Sequence, residues 1–136
     1  MIIALDTNIV VAGVLKLYSI PAAILRLVAE GTIKVAYDLR VLTEYRDVLA
    51  RSKFNFPHEA VKAFLDQVEQ EGILISPRPL KKRLPDPDDE PVLEVASAAR
   101  AMAIVTGNKR HFPQKECEGI RVLSPAEFMV YFRKMI

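Results

Sequence analysis

The sequence predicts a three-layer α/β/α sandwich built on a mostly parallel central sheet. Short β-branched runs alternate with longer segments of helical periodicity, which is typical of parallel strands joined by helical crossovers. The first run, residues 1–5, is continuously apolar, as expected for a strand that is buried on both faces. The chain has 136 residues, of which 51% are hydrophobic and 26% charged, and this is ordinary for one globular domain. We therefore expect a single domain over residues 1–136.

The elements follow in order along the chain. Strands are predicted from the apolar runs, and helices from the longer periodic segments between them. The expected strands are residues 1–5, 33–37, 103–106 and 120–123, with an edge strand at 73–76. The expected helices are residues 8–16, 20–30, 39–52, 57–71, 91–101 and 125–135.

Residues that favour helix ends support these boundaries. Ser19 and Asp38 are good N-caps for the second and third helices, and Ser124 followed by Pro125 repeats this signal for the last one. Gly31 stands where a left-handed C-terminal cap is expected. Pro91 fits the first turn of a helix opened by Asp89 or Glu90, because a first-turn N–H has no intrahelical partner to lose.

Composition narrows the setting of the protein. Cys117 is the only cysteine, so an internal disulfide is excluded and a reducing compartment is expected. No apolar run approaches the roughly 20 residues of a membrane span, and the first residues lack the pattern of a signal peptide. We expect a cytoplasmic protein without a membrane segment. The net charge of +2 decides little, because nucleic-acid binding depends on a patch rather than a total.

Polar residues end two of the predicted strands. Asp6, Thr7 and Asn8 follow the first strand, and Thr106 and Asn108 lie at the end of the strand at 103–106. Ligands of open parallel sheets bind outside the carboxyl ends of the strands. Asp6 could instead be a helix N-cap, although Thr7 or Asn8 could cap the helix equally well.

Glu44 is a carboxylate on the apolar side of a predicted helix. It lies three residues after Val41 and four before Val48, within the apolar stripe of that helix. A carboxylate turned toward a core needs a charge partner, a metal ion or a cleft. An ion pair with Arg40 or Arg51 would satisfy it as well as a functional site would, so both interpretations stay open.

Residues 86–90 contain four acids in five positions. Asp86, Asp88, Asp89 and Glu90 stand at a helix start, where the helix dipole favours negative charge. Their mutual repulsion would also be relieved by a cation. Spacing to the apolar residues turns Asp89 toward the buried face, with Asp88 a close competitor.

These acids belong to three segments that a parallel sheet can bring to one edge. Carboxylate oxygens suit Mg²⁺ or Mn²⁺. Zinc is not expected, because His58 and His111 are far apart and Cys117 has no companion at ligand spacing. The chain has no glycine-rich phosphate loop, and no motif for Ser-His-Asp catalysis.

Three stretches resemble the PIN-domain family, and within it the VapC-like toxins of bacterial toxin–antitoxin pairs. They are IALDTN at the start, VLTEYRDVLARSKF in the middle, and LPDPDDEPVLEVASAARAMAIVTGNKRHF towards the end. The similarity runs from Met1 to about Phe128. It implies strand order 3-2-1-4-5 and metal-dependent cleavage of phosphodiester bonds, usually in RNA.

Matched by position, the resemblance implies that Asp6, Glu44 and Asp89 are the acids of the site. Asp6 and Asp89 would hold Mg²⁺ or Mn²⁺, with Glu44 acting directly or through a water. Thr7, Asn8 and Thr106 would orient these carboxylates. Asn108 falls where many relatives have a fourth acid, so a second metal would be held less tightly.

The resemblance also implies partners and a chemical outcome. Water activated by the metal would leave a 5′-phosphate and a 3′-hydroxyl on the RNA. Arg83, Lys109 and Arg110 are candidates for contacts with its phosphates. The resemblance implies an antitoxin that covers the site formed by these acids. It also implies a homodimer formed through apolar positions of the helices at 8–30, such as Val14, Leu17 or Ile24.

Two other functions compete with a ribonuclease. A phosphatase or phosphotransferase with Asp6 as nucleophile would need a second Asp two positions on, where Asn8 stands. A catalytically weak or inactive RNA-binding or interaction module of the same fold is the stronger alternative, and Asn108 favours it.

Overall fold

A five-stranded parallel sheet forms the centre of the protein. The computed structural model describes residues 1–51 and 55–136. The strand order is β3-β2-β1-β4-β5, and every neighbouring pair is parallel. This confirms the predicted order. The strands are β1 (Ile2–Leu5), β2 (Lys34–Tyr37), β3 (Ile73–Leu74), β4 (Ala103–Val105) and β5 (Arg121–Leu123).

Six α-helices flank the sheet in the described part of the chain. Each matches one of the predicted helices within two residues at both ends, except that α3 ends at Leu49, so the predicted helix at residues 39–52 was too long. The predicted end itself, residue 52, lies outside the described residues. The helices are α1 (Thr7–Leu15), α2 (Ile20–Ala29), α3 (Leu39–Leu49), α4 (His58–Glu71), α5 (Glu90–Ala99) and α6 (Pro125–Met135). Three short 3₁₀ helices were not predicted, at Pro87–Asp89, Lys109–His111 and Gln114–Glu116.

The helices cover both faces of the central strands. Ile3, Ala4 and Leu5 in β1 are all fully buried, although consecutive side chains of a strand point to opposite faces. Ile104 and Val105 in β4 are buried in the same way. The continuously apolar run at the start of the sequence therefore does indicate a strand packed between two layers.

Side-chain and glycine caps set the helix ends as expected from the sequence. The Ser19 hydroxyl accepts from the Ala22 N–H, and Ser124 forms a reciprocal capping box with Glu127. Gly31 has φ +80°, and its N–H donates to the Val28 carbonyl, which ends α2 in a left-handed turn.

Within residues 1–51 and 55–136, no single helix is long and apolar enough to cross a membrane. In this described part of the chain, α1 and α2 taken together pass on length and composition, and they are bent by 101° where they meet.

Candidate active site

The candidate site lies at the carboxyl edge of the two central strands. Asp6 follows β1, and Thr106 follows the adjacent β4. The Asp6 backbone N–H donates to the Val105 carbonyl at 3.0 Å, which continues the pairing of the two strands one residue beyond their ends. The polar residues that end these strands are therefore brought together, as the sequence predicts.

Asp6 is buried and does not cap its helix. It occupies the N-cap position of α1, yet its side chain makes no capping hydrogen bond. Instead, its Oδ2 accepts from the Thr106 hydroxyl at 2.7 Å. Burial raises the pKa of Asp6, and the hydrogen bond from Thr106 partly offsets this. The backbone N–H groups of Thr7 and Asn8 also lower this pKa, so the first turn of α1 interacts with the Asp6 carboxylate although no capping hydrogen bond forms.

Glu44 approaches the same edge from α3. The hydroxyl of its neighbour Tyr45 is fully buried and donates to the Leu5 carbonyl, which ties α3 to the end of β1. Burial is the main cause that raises the pKa of Glu44, and the charges of Asp6 and Asp88 add to it. The Thr7 hydroxyl acts in the opposite direction. Glu44 thus belongs to one electrostatic cluster with Asp6.

The two arginines considered as ion-pair partners of Glu44 differ in their own contacts. Arg40 lies 2.7 Å from Asp38 and 2.9 Å from Glu94, so its guanidinium is engaged elsewhere. Arg51 lowers the pKa of Glu44 through its charge. Glu44 and Arg51 share an open cleft of about 430 Å³ between α3 and the 3₁₀ helix Pro87–Asp89, which we call the acidic cleft. Its lining is Arg40, Thr43, Glu44, Asp47, Val48, Arg51, Pro87, Asp88 and Pro91.

The four acids of residues 86–90 have different tasks. Asp86 accepts from the Asp88 N–H at 2.9 Å and so caps the 3₁₀ helix. Glu90 is buried, accepts from the Leu84 N–H at 3.0 Å and lies 3.2 Å from Arg83. Asp88 is exposed and lines the acidic cleft. Asp89 is left without a capping role, and its charge interacts with Asp6 and Glu44.

Asp89 carries a buried oxygen that lacks a hydrogen bond. Within the part of the chain that the structure describes, its Oδ2 is the buried side-chain atom without such a partner. The Nδ1 of His111 lies 3.0 Å from this oxygen and forms an ion pair with it when the imidazole is protonated. Burial first, and then the charge of Asp6, raise the pKa of Asp89 to about 6. Such an oxygen costs free energy unless something else binds it.

His111 is the site residue that the sequence did not suggest as a partner of the acids. It ends the 3₁₀ helix Lys109–His111, which begins directly after Asn108. The Asn108 N–H donates to the Thr106 hydroxyl oxygen at 3.0 Å, and its carbonyl accepts from the His111 N–H at 3.1 Å. Its position just after the end of β4 was the only signal that could have indicated this role.

The donor set fits a hard divalent cation. Burial raises the pKa of Asp6, Glu44 and Asp89, the charge of Asp6 adds to the rise for Glu44 and Asp89, and one Asp89 oxygen accepts no hydrogen bond. Among the described residues, no three His, Cys, Asp or Glu side chains are grouped closely enough to enclose an ion. Mg²⁺ in nucleotide-processing sites is commonly held by one or two carboxylates, waters and substrate phosphates, which this arrangement allows.

The remaining predicted site residues lie around this cluster. Thr7 is buried beside Glu44, whereas Asn8 is exposed and lowers the pKa of Asp6 only through its backbone. Lys109 lies 2.9 Å from Glu127, just as Arg83 is paired with Glu90. Arg110 is exposed. Contacts of these basic residues with phosphate remain predictions. Of the apolar positions considered for a dimer, Ile24 belongs to the core, while Leu17 is 68% exposed.

Comparisons with known proteins identify the family and support the fold. The family model described as PIN domain matches residues 3–110. The sequence matches no curated relative. In a search of solved structures, the chain is similar to a chain of the VapBC2 crystal structure from Rickettsia felis, described as bound to a DNA fragment from their promoter. The identity is 22% and the TM-score 0.60, over 91% of this chain and 98% of that chain, which supports the fold.

Proposed function

The chain belongs to the PIN-domain family, and from this membership we propose that it is a divalent-metal-dependent endoribonuclease with its active site at Asp6, Glu44 and Asp89. The observation that carries the proposal is the buried Oδ2 of Asp89, which accepts no hydrogen bond in the described chain and lies among other acids, with His111 Nδ1 at 3.0 Å as its ion-pair contact. A cation would satisfy this oxygen and relieve the repulsion among the acids.

Three acids would hold the ion, and neighbouring side chains fix the positions of these acids. Asp6 and Asp89 would hold Mg²⁺ or Mn²⁺, with Glu44 contributing directly or through a water. When bound, such an ion lowers the pKa of a coordinated water and stabilises the leaving oxygen of the phosphodiester. The Thr106 hydroxyl fixes the Asp6 carboxylate, and the hydrogen bond of Tyr45 to Leu5 fixes α3 and hence Glu44. The expected products carry a 5′-phosphate and a 3′-hydroxyl.

We further propose that the protein is the toxin of a toxin–antitoxin pair and acts in the cytoplasm. The similarity to a chain of a VapBC2 complex supports an antitoxin partner. Leu15, Leu17 and Tyr18 are exposed at the turn between α1 and α2, and they are candidates for the apolar contacts of a homodimer. Of the positions predicted for the dimer, Leu17 belongs to this surface, whereas Ile24 lies in the core and Val14 is partly buried against it.

Asn108 favours a second candidate function. An amide adds no negative charge at the position where the family resemblance implies a fourth acid, so the site would hold a second ion weakly or only together with substrate. A catalytically weak or inactive module that still binds RNA would have the same fold.

Cleavage of a mixed panel of labelled single-stranded and structured RNAs tests these proposals. The reactions contain Mn²⁺, Mg²⁺ or EDTA, and the wild type is compared with Asp6→Asn. Glu71→Gln is the control for loss of a carboxylate, because Glu71 is an exposed acid at the end of α4 and lines neither the site nor the acidic cleft. We expect metal-dependent cleavage by the wild type and the control, and a loss of at least about 10²-fold for Asp6→Asn.

Thermal melting separates the two candidates. A site that binds metal raises the melting temperature with Mn²⁺, and Asp6→Asn should remove that response. Metal-dependent stabilisation without cleavage of any RNA would favour the inactive module, with Asn108 as the first residue to change to Asp. Equal cleavage by Asp6→Asn and the wild type would exclude the proposed site.

A further inference from the structure

A basic groove lies next to the acidic cleft, on the side of α4. It occupies about 530 Å³ between the end of α3 and the start of α4, and we call it the α3–α4 groove. Its basic side chains are Arg46, Arg51, His58 and Lys62, and its apolar wall includes Leu49 and Leu65. Pockets of roughly 300–1,000 Å³ take small ligands, so this groove is large enough for a nucleotide.

Arg51 connects the groove with the candidate active site. It lines both the α3–α4 groove and the acidic cleft, where it shares the lining with Glu44 and Asp88. A strand cut beside Glu44 can therefore run past Arg51 into the groove without leaving the surface.

The acidic cleft and the α3–α4 groove differ in the sign of the charges that line them. The acidic cleft contains Glu44, Asp47 and Asp88, and of its two arginines Arg40 is engaged by Asp38 and Glu94. These carboxylates repel a phosphate backbone, so binding energy for RNA has to come from cations outside the cleft. Among the described residues, the groove lining instead holds two arginines, a lysine and a histidine against one acid, Asp66.

The basic side chains of the groove are exposed enough to reach a phosphate. The side chain of Lys62 is 67% exposed and pairs with Asp66, and that of Arg46 is 49% exposed and lies 3.8 Å from Glu69. Exposed pairs of this kind are weak and exchange readily for phosphate.

We propose that the α3–α4 groove binds the single-stranded RNA that flanks the scissile phosphate, with Arg46 and Lys62 on its phosphates and Arg51 guiding the strand from the acidic cleft. This inference rests on the proposed ribonuclease function. The apolar wall of the groove accommodates a base without hydrogen-bond readout, so the groove sets strand affinity rather than sequence preference.

Equilibrium binding tests the groove separately from catalysis. Fluorescence anisotropy of a labelled single-stranded RNA is measured with Asp6→Asn protein in EDTA, where no cleavage occurs. Arg46→Gln with Lys62→Gln is compared with Arg133→Gln and Lys134→Gln, a matched change on exposed residues at the end of α6. Thermal melting and circular dichroism check that each variant is folded.

The groove double variant should weaken RNA binding at least about 5-fold and lower the dependence of log K on log salt by about 1.4, since each single-strand phosphate contact contributes about 0.7. In the cleaving protein the same change should raise KM and leave kcat nearly unchanged. The α6 control should alter neither quantity.

The outcomes distinguish the two proposals. RNA cleavage by the wild type together with equal effects of both double variants would overturn the groove and leave the nuclease intact. Groove-dependent RNA binding without cleavage would retain the groove and contradict the nuclease. If the groove variant keeps its RNA affinity but loses binding to polyglutamate, the groove is a docking site for an acidic protein segment and the RNA proposal is wrong.

Discussion

Two aspartates occupy equivalent places in the fold and make different use of their carboxylates. Asp6 follows β1 and Asp38 follows the adjacent β2; each precedes a helix, and they are 5% and 8% exposed. Asp38 accepts from the Val41 N–H at 3.0 Å and pairs with Arg40 at 2.7 Å. Asp6 makes no capping bond, and the Thr106 hydroxyl across the sheet donates to it instead.

The comparison shows that a strand-end acid alone does not identify a site. What separates Asp6 from Asp38 is whether the helix that follows uses the carboxylate. Asp6 also interacts with Glu44 and Asp89, which come from two other segments. The predictions below test whether the distinction between a capping acid and a reactive acid holds.

The largest expected effect is on catalysis. Asp6→Asn and Asp38→Asn make the same isosteric change, but only Asp6→Asn should lower kcat/KM for RNA cleavage, by at least about 10²-fold. Asn retains the ability to cap, so Asp38→Asn should keep near wild-type activity. Steady-state cleavage with Mn²⁺ measures both, and similar losses in the two variants would remove the distinction.

Asp89 extends the comparison to stability. The pKa of Asp89 is about 6 in the folded protein, above the ordinary 3.8. Without metal, the stabilisation of the folded state that this shift represents is fully present below about pH 4 and is lost as the pH rises to about 6. After allowance for solvent screening this amounts to about 1–2 kcal/mol.

The variant Asp89→Asn should therefore melt higher than the wild type in EDTA at neutral pH, and the advantage should shrink toward pH 4. With Mn²⁺ the order should reverse, because only the wild type gains from binding. Melting curves across this pH range measure the effect. A variant less stable than the wild type in EDTA at neutral pH would mean that Asp89 is structural.

Thr106 tests the contact that sets Asp6 apart. Thr106→Val removes the hydroxyl that donates to Asp6 Oδ2 and keeps the shape of a fully buried side chain. Because this hydrogen bond lowers the pKa of Asp6, its loss should raise that pKa further. We expect about 10-fold weaker Mn²⁺ binding, since residues that orient metal ligands contribute about 10–100-fold. Thr106→Ser keeps the hydroxyl and should stay close to wild type in Mn²⁺ titrations.

Much of the fold could be predicted from the sequence because its signals are local. Alternation of apolar runs and periodic segments indicated the sheet and its helices, and Ser19, Gly31, Asp38 and Ser124 act at the helix ends as expected. Strand order came from the family resemblance, since pairing between distant strands leaves no periodicity in the chain.

The site was predictable only in part. Asp6 and Glu44 stood out because polar groups broke an apolar pattern, but Asp88 and Asp89 could not be separated by spacing alone. Their difference depends on tertiary contacts: Asp89 faces Asp6 and His111, whereas Asp88 is exposed in the acidic cleft. The contact of His111 with Asp89 depends on a short 3₁₀ helix, and such helices have weak sequence signals.

The smallest expected effect concerns Asp38 alone. Asp38→Ala removes the cap of α3 and should lower the free energy of unfolding by about 1 kcal/mol, which is typical of a lost N-cap. The Arg40 guanidinium still pairs with Glu94 at 2.9 Å, so the substitution should not leave it without an ionic partner. Urea denaturation of Asp38→Ala and Asp38→Asn measures the difference, which should lie in the midpoint and not in the slope. Because α3 also carries Glu44, the Asp38 cap could affect activity as well as stability. An activity loss larger than the stability loss accounts for would show that the cap also positions Glu44. Asp38 and Asp6 would then both contribute to catalysis, by different amounts.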